Sequence, residues 1–158
     1  MRPPDLGPRG EGWVLAQFLV GGLVIFLGAR RLPKVARRGP SPGIPLGAGL
    51  MVAGTWMVAR GAADLGPSLT PFPRPLDHAE LVERGVFASI RHPIYAGVIG
   101  VCFGWSILSR SPAAFVASIG ETLLFVAKAS LEEEWLLRRY RGYVAYRSRT
   151  DRFLPGIY

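Results

Sequence analysis

One stretch at residues 91–97 decides the fold, and it reads Arg91, His92, Pro93, Ile94, Tyr95, Ala96, Gly97. A polar loop meets an apolar run at this point. Proline is favoured at the first position of a helix, because the N–H that it lacks would have no partner there. The stretch therefore predicts a helix that begins at Pro93. The backbone donors of a first helical turn attract anions, and polar groups at a membrane boundary are functional candidates. We therefore take Arg91 and His92 as candidate catalytic residues.

Apolar residues are gathered into blocks along the 158-residue chain, which is 49% hydrophobic and 19% charged. Three blocks contain no charge, Trp13–Ala29, Gly43–Ala59 and Ile94–Leu108, and the fourth, Ala113–Ala127, contains one charged residue, Glu121. A helix needs roughly 20 residues to cross a bilayer, with about 17 as a lower limit. We therefore predict an all-α integral membrane protein with about four transmembrane helices. The turn at 109–112 should join the last two as a hairpin.

Both ends of that hairpin return to the same side of the membrane. The carboxylates Glu132 and Glu133 should then lie at the depth of the 91–97 stretch. Their helix is expected to continue past the bilayer and to be followed by an amphipathic C-terminal helix. We divide the chain into an N-terminal helix pair at 1–60 and a catalytic region at 61–158. The alternative for the glutamates is a solvated acidic helix end that pairs with Lys128 and Arg138 at helical spacing.

Charge and cysteine content narrow the function classes. The chain carries a net charge of +8. We expect its basic residues to bind anionic lipid headgroups in preference to nucleic acid. Most Lys and Arg residues lie on the side of the predicted membrane that holds the two termini, and this excess favours a cytoplasmic C-terminus. The dense basic cluster Arg30–Arg38 lies on the opposite side and argues for the reverse orientation. The single cysteine, Cys102, excludes an intrachain disulfide and any multi-cysteine metal site. His78 lies near acidic residues without a complete ligand set, so no metal site is predicted.

An ordered series of motifs covers the C-terminal part of the chain, from Leu65 to Pro155. Its members are Leu65-Gly66, Leu69 to Pro73, Gly85 to Phe87, residues 91–97, Glu132-Glu133, Leu136, Tyr140, Tyr143, Tyr146 and Phe153 to Pro155. In this series the chain resembles the isoprenylcysteine carboxyl methyltransferase family and its relatives among the phospholipid methyltransferases. The first two helices match nothing beyond general hydrophobicity.

The resemblance implies S-adenosylmethionine as the cofactor, held on the cytosolic side between the hairpin and the C-terminal segment. The matching positions are His92, Pro93, Tyr95, Gly97, Gly100, Glu132 and Glu133. Arg91 and the helix start would hold the methionine carboxylate, a glutamate would hold the ammonium group, and the two glycines would leave room. Arg149 and Tyr143 are candidate substrate-binding residues. The tyrosines Tyr140, Tyr143 and Tyr146 are most simply an interfacial aromatic belt.

The predicted function is a multi-pass membrane methyltransferase with its active site facing the cytoplasm, in the cell (inner) membrane. The acceptor would be lipophilic: a prenylcysteine-like carboxylate, an isoprenoid or a phospholipid. An acceptor that is already anionic needs no general base, whereas a lipid amine needs one, for which His92 is the candidate. Two alternatives remain: an NADPH-dependent reductase of the sterol reductase type, and a nonenzymatic lipid-binding protein.

Overall fold

The structure, a computed structural model, describes residues 3–36, 39 and 41–156. Its helices are α1 (Glu11–Ala29), α2 (Leu32–Ala36), α3 (Gly43–Leu65), α4 (Pro93–Leu108), α5 (Pro112–Arg139) and α6 (Tyr143–Ser148), with short 3-10 turns at Gly66–Ser68 and Gly85–Ala88. The described residues contain no strand, so the predicted all-α class is confirmed for this part of the chain. Arg37 and Arg38 of the predicted basic cluster lie outside the described residues.

Two of the described helical segments are long and apolar enough to cross a membrane, Glu11–Val35 and Pro112–Arg139. Large apolar side chains on α1 point outward, among them Phe18 at 66% and Leu19 at 64% exposure. α4 is apolar but has only 16 residues. α3 has 23 residues and crosses the predicted boundary at residue 60, where Arg60 pairs with Asp64 at 2.7 Å. The count of four membrane crossings stays a prediction.

Paired glycines bring α3 and α4 into close contact. A Cβ at Gly97 would lie 2.5 Å from the carbonyl oxygen of Gly54, and one at Gly104 would lie 2.6 Å from that of Gly47. Both separations are shorter than a real Cβ contact, so these backbones meet only because the side chains are absent. Ala96, Gly100 and Gly104 recur every four positions in the sequence, and a Cβ at Gly100 would lie at an ordinary contact distance of 3.6 Å from the backbone of α3. The closest approaches use glycines that are seven positions apart on each helix.

The predicted hairpin of α4 and α5 is confirmed. α4 begins at Pro93, and Ser111 caps α5 by accepting a hydrogen bond from the N–H of Ala114 at 3.2 Å. The hydroxyls of Ser106 and Ser118 lie 2.9 Å apart and join the two helices within the apolar interior. α1 packs mainly against α5. The hairpin thus returns the end of α5 to the start of α4.

The C-terminal segment is fastened to the loop before α4 by backbone hydrogen bonds. The N–H of Arg91 donates to the carbonyl of Asp151 at 2.8 Å, and the N–H of His92 donates to that of Arg152 at 3.0 Å. Ile90 and Asp151 form an isolated parallel β-bridge. The site loop is therefore held from both sides, by α5 and by residues near the chain's end.

The predicted aromatic belt is wrong for Tyr143 and Tyr146. Tyr143 is fully buried, Tyr146 is 3% exposed, and the Tyr146 hydroxyl donates to the carbonyl of Phe87 at 2.8 Å. Burial raises the pKa of both phenols. The predicted C-terminal amphipathic helix is reduced to the six residues of α6. Tyr146 therefore anchors α6 on the 3-10 turn at Gly85–Ala88, and the ring of Tyr143 packs against that of Tyr146 in the interior.

Candidate functional site

Glu133 lies at the centre of the site and is 2% exposed. Its Oε1 accepts hydrogen bonds from Nε of Arg91 at 3.0 Å and Nε of Arg152 at 3.1 Å. Its Oε2 accepts from Nη2 of Arg152 at 2.9 Å, and Nε2 of His92 lies 3.2 Å from Oε1. A buried carboxylate is stable only when it is paired and hydrogen-bonded. Glu133 therefore serves to join α5, the start of α4 and the C-terminal segment.

The guanidinium of Arg91 is committed to this cluster. Besides Glu133, its Nη1 donates to the carbonyl of Arg147 at 3.1 Å and to the carbonyl of Thr150. The Arg91 side chain is 9% exposed. These bonds turn its charge toward the C-terminal segment. Arg91 also lines a cavity beside this cluster, and its role in holding the carboxylate of a ligand stays a prediction.

Arg152 is a residue of the site that the sequence did not reveal. It forms a two-pronged contact with Glu133, and its Nη1 donates to the hydroxyl of Ser130 at 3.2 Å. Arg152 is one of several arginines in the C-terminal segment. No local sequence pattern distinguishes it from the others as a site residue. Only the return of the C-terminal segment to α4 brings it to Glu133.

Glu132 faces a different way from its neighbour, as adjacent helical residues must. The hydroxyl of Tyr95 donates to its Oε2 at 2.6 Å, and Nδ1 of His92 lies 3.8 Å from the same oxygen. The rings of His92 and Tyr95 are stacked, with centroids 5.3 Å apart and planes 5° from parallel. Tyr95 also stacks on Phe125 at 4.6 Å. The Glu132 side chain is 26% exposed, so this carboxylate is the accessible one.

A cavity of about 280 Å³ opens in front of these groups. Its polar lining includes Arg91, His92, Tyr95, Lys128, Glu132 and Gln17. Its remaining walls come from α3, α4, α5, the 3-10 turn at Gly85–Ala88 and the segment at 69–71. Lys128 is fully buried. Its Nζ donates to the Gln17 side chain and to the carbonyl of Pro71 at 2.8 Å. The wall formed by α5 thus carries a cation, Lys128, and one helical turn later an anion, Glu132.

Several predicted site residues lie elsewhere. Gly97 contacts α3, and Gly100 lines a separate apolar groove, so neither makes room in the cavity. Arg149 pairs with Glu83 on the surface and is 57% exposed. Tyr143 is buried, and its hydroxyl has no partner among the described residues. Among the predicted cofactor positions, His92, Pro93, Tyr95 and Glu132 line the cavity, whereas Glu133 lies behind it.

A second feature is an apolar groove of about 490 Å³ on the other side of α4. Its lining is Leu50, Ala96, Ile99, Gly100, Phe103, Thr122, Val126, Phe153 and Leu154. The ring of Phe153 also approaches that of His92, with centroids 6.0 Å apart. His92 therefore stands between the polar cavity and the apolar groove.

Fold and site together define an all-helical protein with two helices apolar enough for a membrane, and with a polar cavity beside an apolar groove. The chain belongs to the phospholipid methyltransferase family, whose family model matches residues 43–142. This match confirms the resemblance seen in the sequence, and it identifies a methyltransferase family with membrane character. No curated protein shows significant similarity to the chain.

Proposed function

We propose that this protein is an S-adenosylmethionine-dependent methyltransferase that acts on a lipophilic acceptor at the cytosolic face of a membrane. The observation that carries the proposal is the placement of His92 and Tyr95, which line the polar cavity while Phe153 continues from His92 into the apolar groove. A methyl donor with a charged end requires a polar cavity, and an acceptor with a hydrocarbon chain requires an apolar groove next to it.

The residues of the cavity fit this cofactor. S-adenosylmethionine, when bound, supplies an activated methyl group on a positively charged sulfur. The stacked rings of His92 and Tyr95 offer aromatic surface to a nucleoside and to a cation, and Glu132 offers a negative charge. Leu65, Leu69 and Val98 contribute apolar wall to the cavity, and surroundings of low polarity strengthen the electrostatic attraction between these groups and a ligand.

His92 is placed to act on an acceptor. Its Nε2–H donates to Glu133, which leaves Nδ1 as the ring nitrogen that can accept a proton. An acceptor amine must lose a proton before methyl transfer, and Nδ1 would take it. An acceptor carboxylate needs no such step, and the site would then act through orientation and desolvation. A prenylcysteine-like carboxylate, an isoprenoid and a phospholipid all supply the apolar chain that the groove would hold.

We place the protein in the cell (inner) membrane with the cavity toward the cytoplasm. The arginines around the cavity and in the C-terminal segment agree with the excess of positive charge on cytoplasmic segments. Anionic membrane lipids would attract the same residues.

The test is transfer of a labelled methyl group. The purified protein in nanodiscs is incubated with methyl-labelled S-adenosylmethionine and a total membrane lipid extract, and label is measured in the organic phase. We expect label there, and none with His92→Ala. Release of the label as volatile methanol on treatment with mild alkali identifies a methyl ester, whereas label that stays nonvolatile identifies methylation of nitrogen.

Absence of lipid label with a folded protein would contradict the proposal. In that case NADPH consumption with the same lipids would favour the reductase, and a protein that binds lipid without turnover would favour the nonenzymatic alternative.

A further inference from the structure

Lys128 is a buried cation in the wall of the cavity, and it lies outside the cluster around Glu133. It is one of only two lysines in the chain. Its side chain is fully buried, and its Nζ lies 5.1 Å from the centre of the Tyr95 ring. Among the described residues, no carboxylate lies within ion-pair distance of Nζ. Glu121 and Glu132 on the same helix act on this ammonium group only at longer range. Buried charges are normally paired directly, and Lys128 has no directly bonded counter-charge among the described residues.

The hydrogen bonds of Lys128 leave room for an anion. An ammonium group has three donors. One goes to the side chain of Gln17 and one to the carbonyl of Pro71, and both acceptors are neutral. The third donor remains for a ligand, and the cavity that Lys128 lines is where a ligand would lie.

Glu132 follows one turn later on the same wall. Four residues of α-helix correspond to a rise of about 6 Å, so the positive and negative groups are separated by a short distance along the cavity. A ligand that carries a carboxylate and an ammonium group a few bonds apart matches this arrangement. The amino-acid end of S-adenosylmethionine is such a group.

We propose that Lys128 and Glu132 form a two-charge clamp for a zwitterionic amino-acid group, in which Lys128 binds the carboxylate and Glu132 binds the ammonium. The inference rests on the proposed function, because it takes S-adenosylmethionine as the ligand. It also replaces Arg91, whose guanidinium is held by Glu133 and by backbone carbonyls, as the carboxylate-binding residue.

Three adenosyl ligands test the clamp by calorimetry on the full chain in nanodiscs. S-adenosylmethionine carries both charged groups, its decarboxylated form keeps the ammonium, and 5′-methylthioadenosine has neither. The wild type should prefer S-adenosylmethionine over the decarboxylated form by at least about tenfold, as expected for a charge-assisted hydrogen bond. Lys128→Met should lose most of this preference. It should bind the decarboxylated form at least as well as the wild type does.

Glu132→Gln should instead reduce the preference for the decarboxylated form over 5′-methylthioadenosine. The matched control is Lys34→Met, since Lys34 is exposed on α2, and all three affinities should be unchanged in it. Binding of 5′-methylthioadenosine shows that the cavity of a variant is intact. If Lys128→Met does not fold, Lys128→Gln carries the same prediction, because it keeps a donor without the charge.

Two results would overturn the clamp in different ways. A wild-type preference that persists in Lys128→Met would overturn this inference alone. A folded wild type that binds none of the three ligands would overturn the proposed function as well.

Discussion

Glu133→Gln should destabilise the protein strongly, although glutamine has nearly the same shape as glutamate. The substitution removes the charge that Arg91, Arg152 and His92 share within 3.2 Å. The amide N–H₂ of glutamine would also face a cation at one of its two positions. The side chain of Arg152 is 11% exposed and that of Arg91 is 9% exposed. Both guanidinium groups would therefore lose their counter-charge where water replaces it poorly.

The expected magnitude follows from this burial. Removing one partner of a buried ion pair costs about 3–5 kcal/mol. For a chain of this size, each kcal/mol lowers the melting temperature by about 2–4 °C. We therefore expect a decrease of at least about 6 °C, measured by intrinsic fluorescence during heating of the protein in detergent.

Neighbouring glutamates provide the controls. The Glu134 side chain is 32% exposed and lies 3.7 Å from Arg138. An exposed pair of this kind contributes about 0–1 kcal/mol, so Glu134→Gln should change the melting temperature little. Glu132→Gln should weaken ligand binding with a smaller loss of stability. Equal melting temperatures for the three variants would refute the central role of Glu133, because they would mean that the Arg91 and Arg152 contacts contribute no net stability.

Three further predictions follow from the packing and from the surface. Gly97→Ala should lower stability by about 1–3 kcal/mol through overpacking against α3, whereas Gly120→Ala, where a Cβ meets nothing within 4 Å, should be neutral or stabilising in the same melting assay. Because burial raises the pKa of Tyr143 and Tyr146, both phenols stay neutral above the ordinary value of about 10. Their contribution to stability is complete below that pH and is lost as the pH rises further. Ultraviolet titration should show a phenolate component that appears only with unfolding and is absent when both are phenylalanine. Arg149→Ala should leave the affinity for S-adenosylhomocysteine unchanged in calorimetry, and a large loss would mean that this exposed arginine reaches the ligand.

Local signals in the sequence predicted the frame of the site well. Pro93 and Ser111 act through the backbone of their own helical turns, so the start of α4 and the cap of α5 were readable without any tertiary information. The hairpin then followed from the short turn between two apolar blocks, and it brought residues 91–97 close to Glu132 and Glu133 as expected.

The division of roles within the site depends on contacts between distant segments. Adjacent positions cannot show that Glu133 is buried by the C-terminal segment while Glu132 faces the cavity. Arg152 reaches Glu133 only because the chain's end pairs with Ile90 and Arg91. In the sequence, Lys128 is recognisable only as a helical partner of the carboxylates. Its contacts with Gln17 and Pro71 join parts of the chain that are far apart in sequence, so no local pattern predicts them.

Apolar and aromatic patterns were the least reliable guide. The regular spacing of the three C-terminal tyrosines is compatible both with an interface and with a small buried cluster. The structure shows the second for Tyr143 and Tyr146, whose rings pack against each other, and the hydroxyl of Tyr146 bonds to the 3-10 turn at Gly85–Ala88. Likewise, a stripe of small residues on α4 does not reveal whether it admits a ligand or another helix. Gly97 contacts α3, and Gly100 borders the apolar groove.

The most direct single measurement is calorimetric titration of S-adenosylhomocysteine into the wild-type protein and His92→Ala, with NADPH as the control ligand. We expect one S-adenosylhomocysteine site per chain in the wild type, severe loss of binding in the folded variant, and no NADPH signal. An absence of S-adenosylhomocysteine binding by folded wild-type protein, or equal binding by His92→Ala, would contradict the assignment of this cavity as the cofactor site.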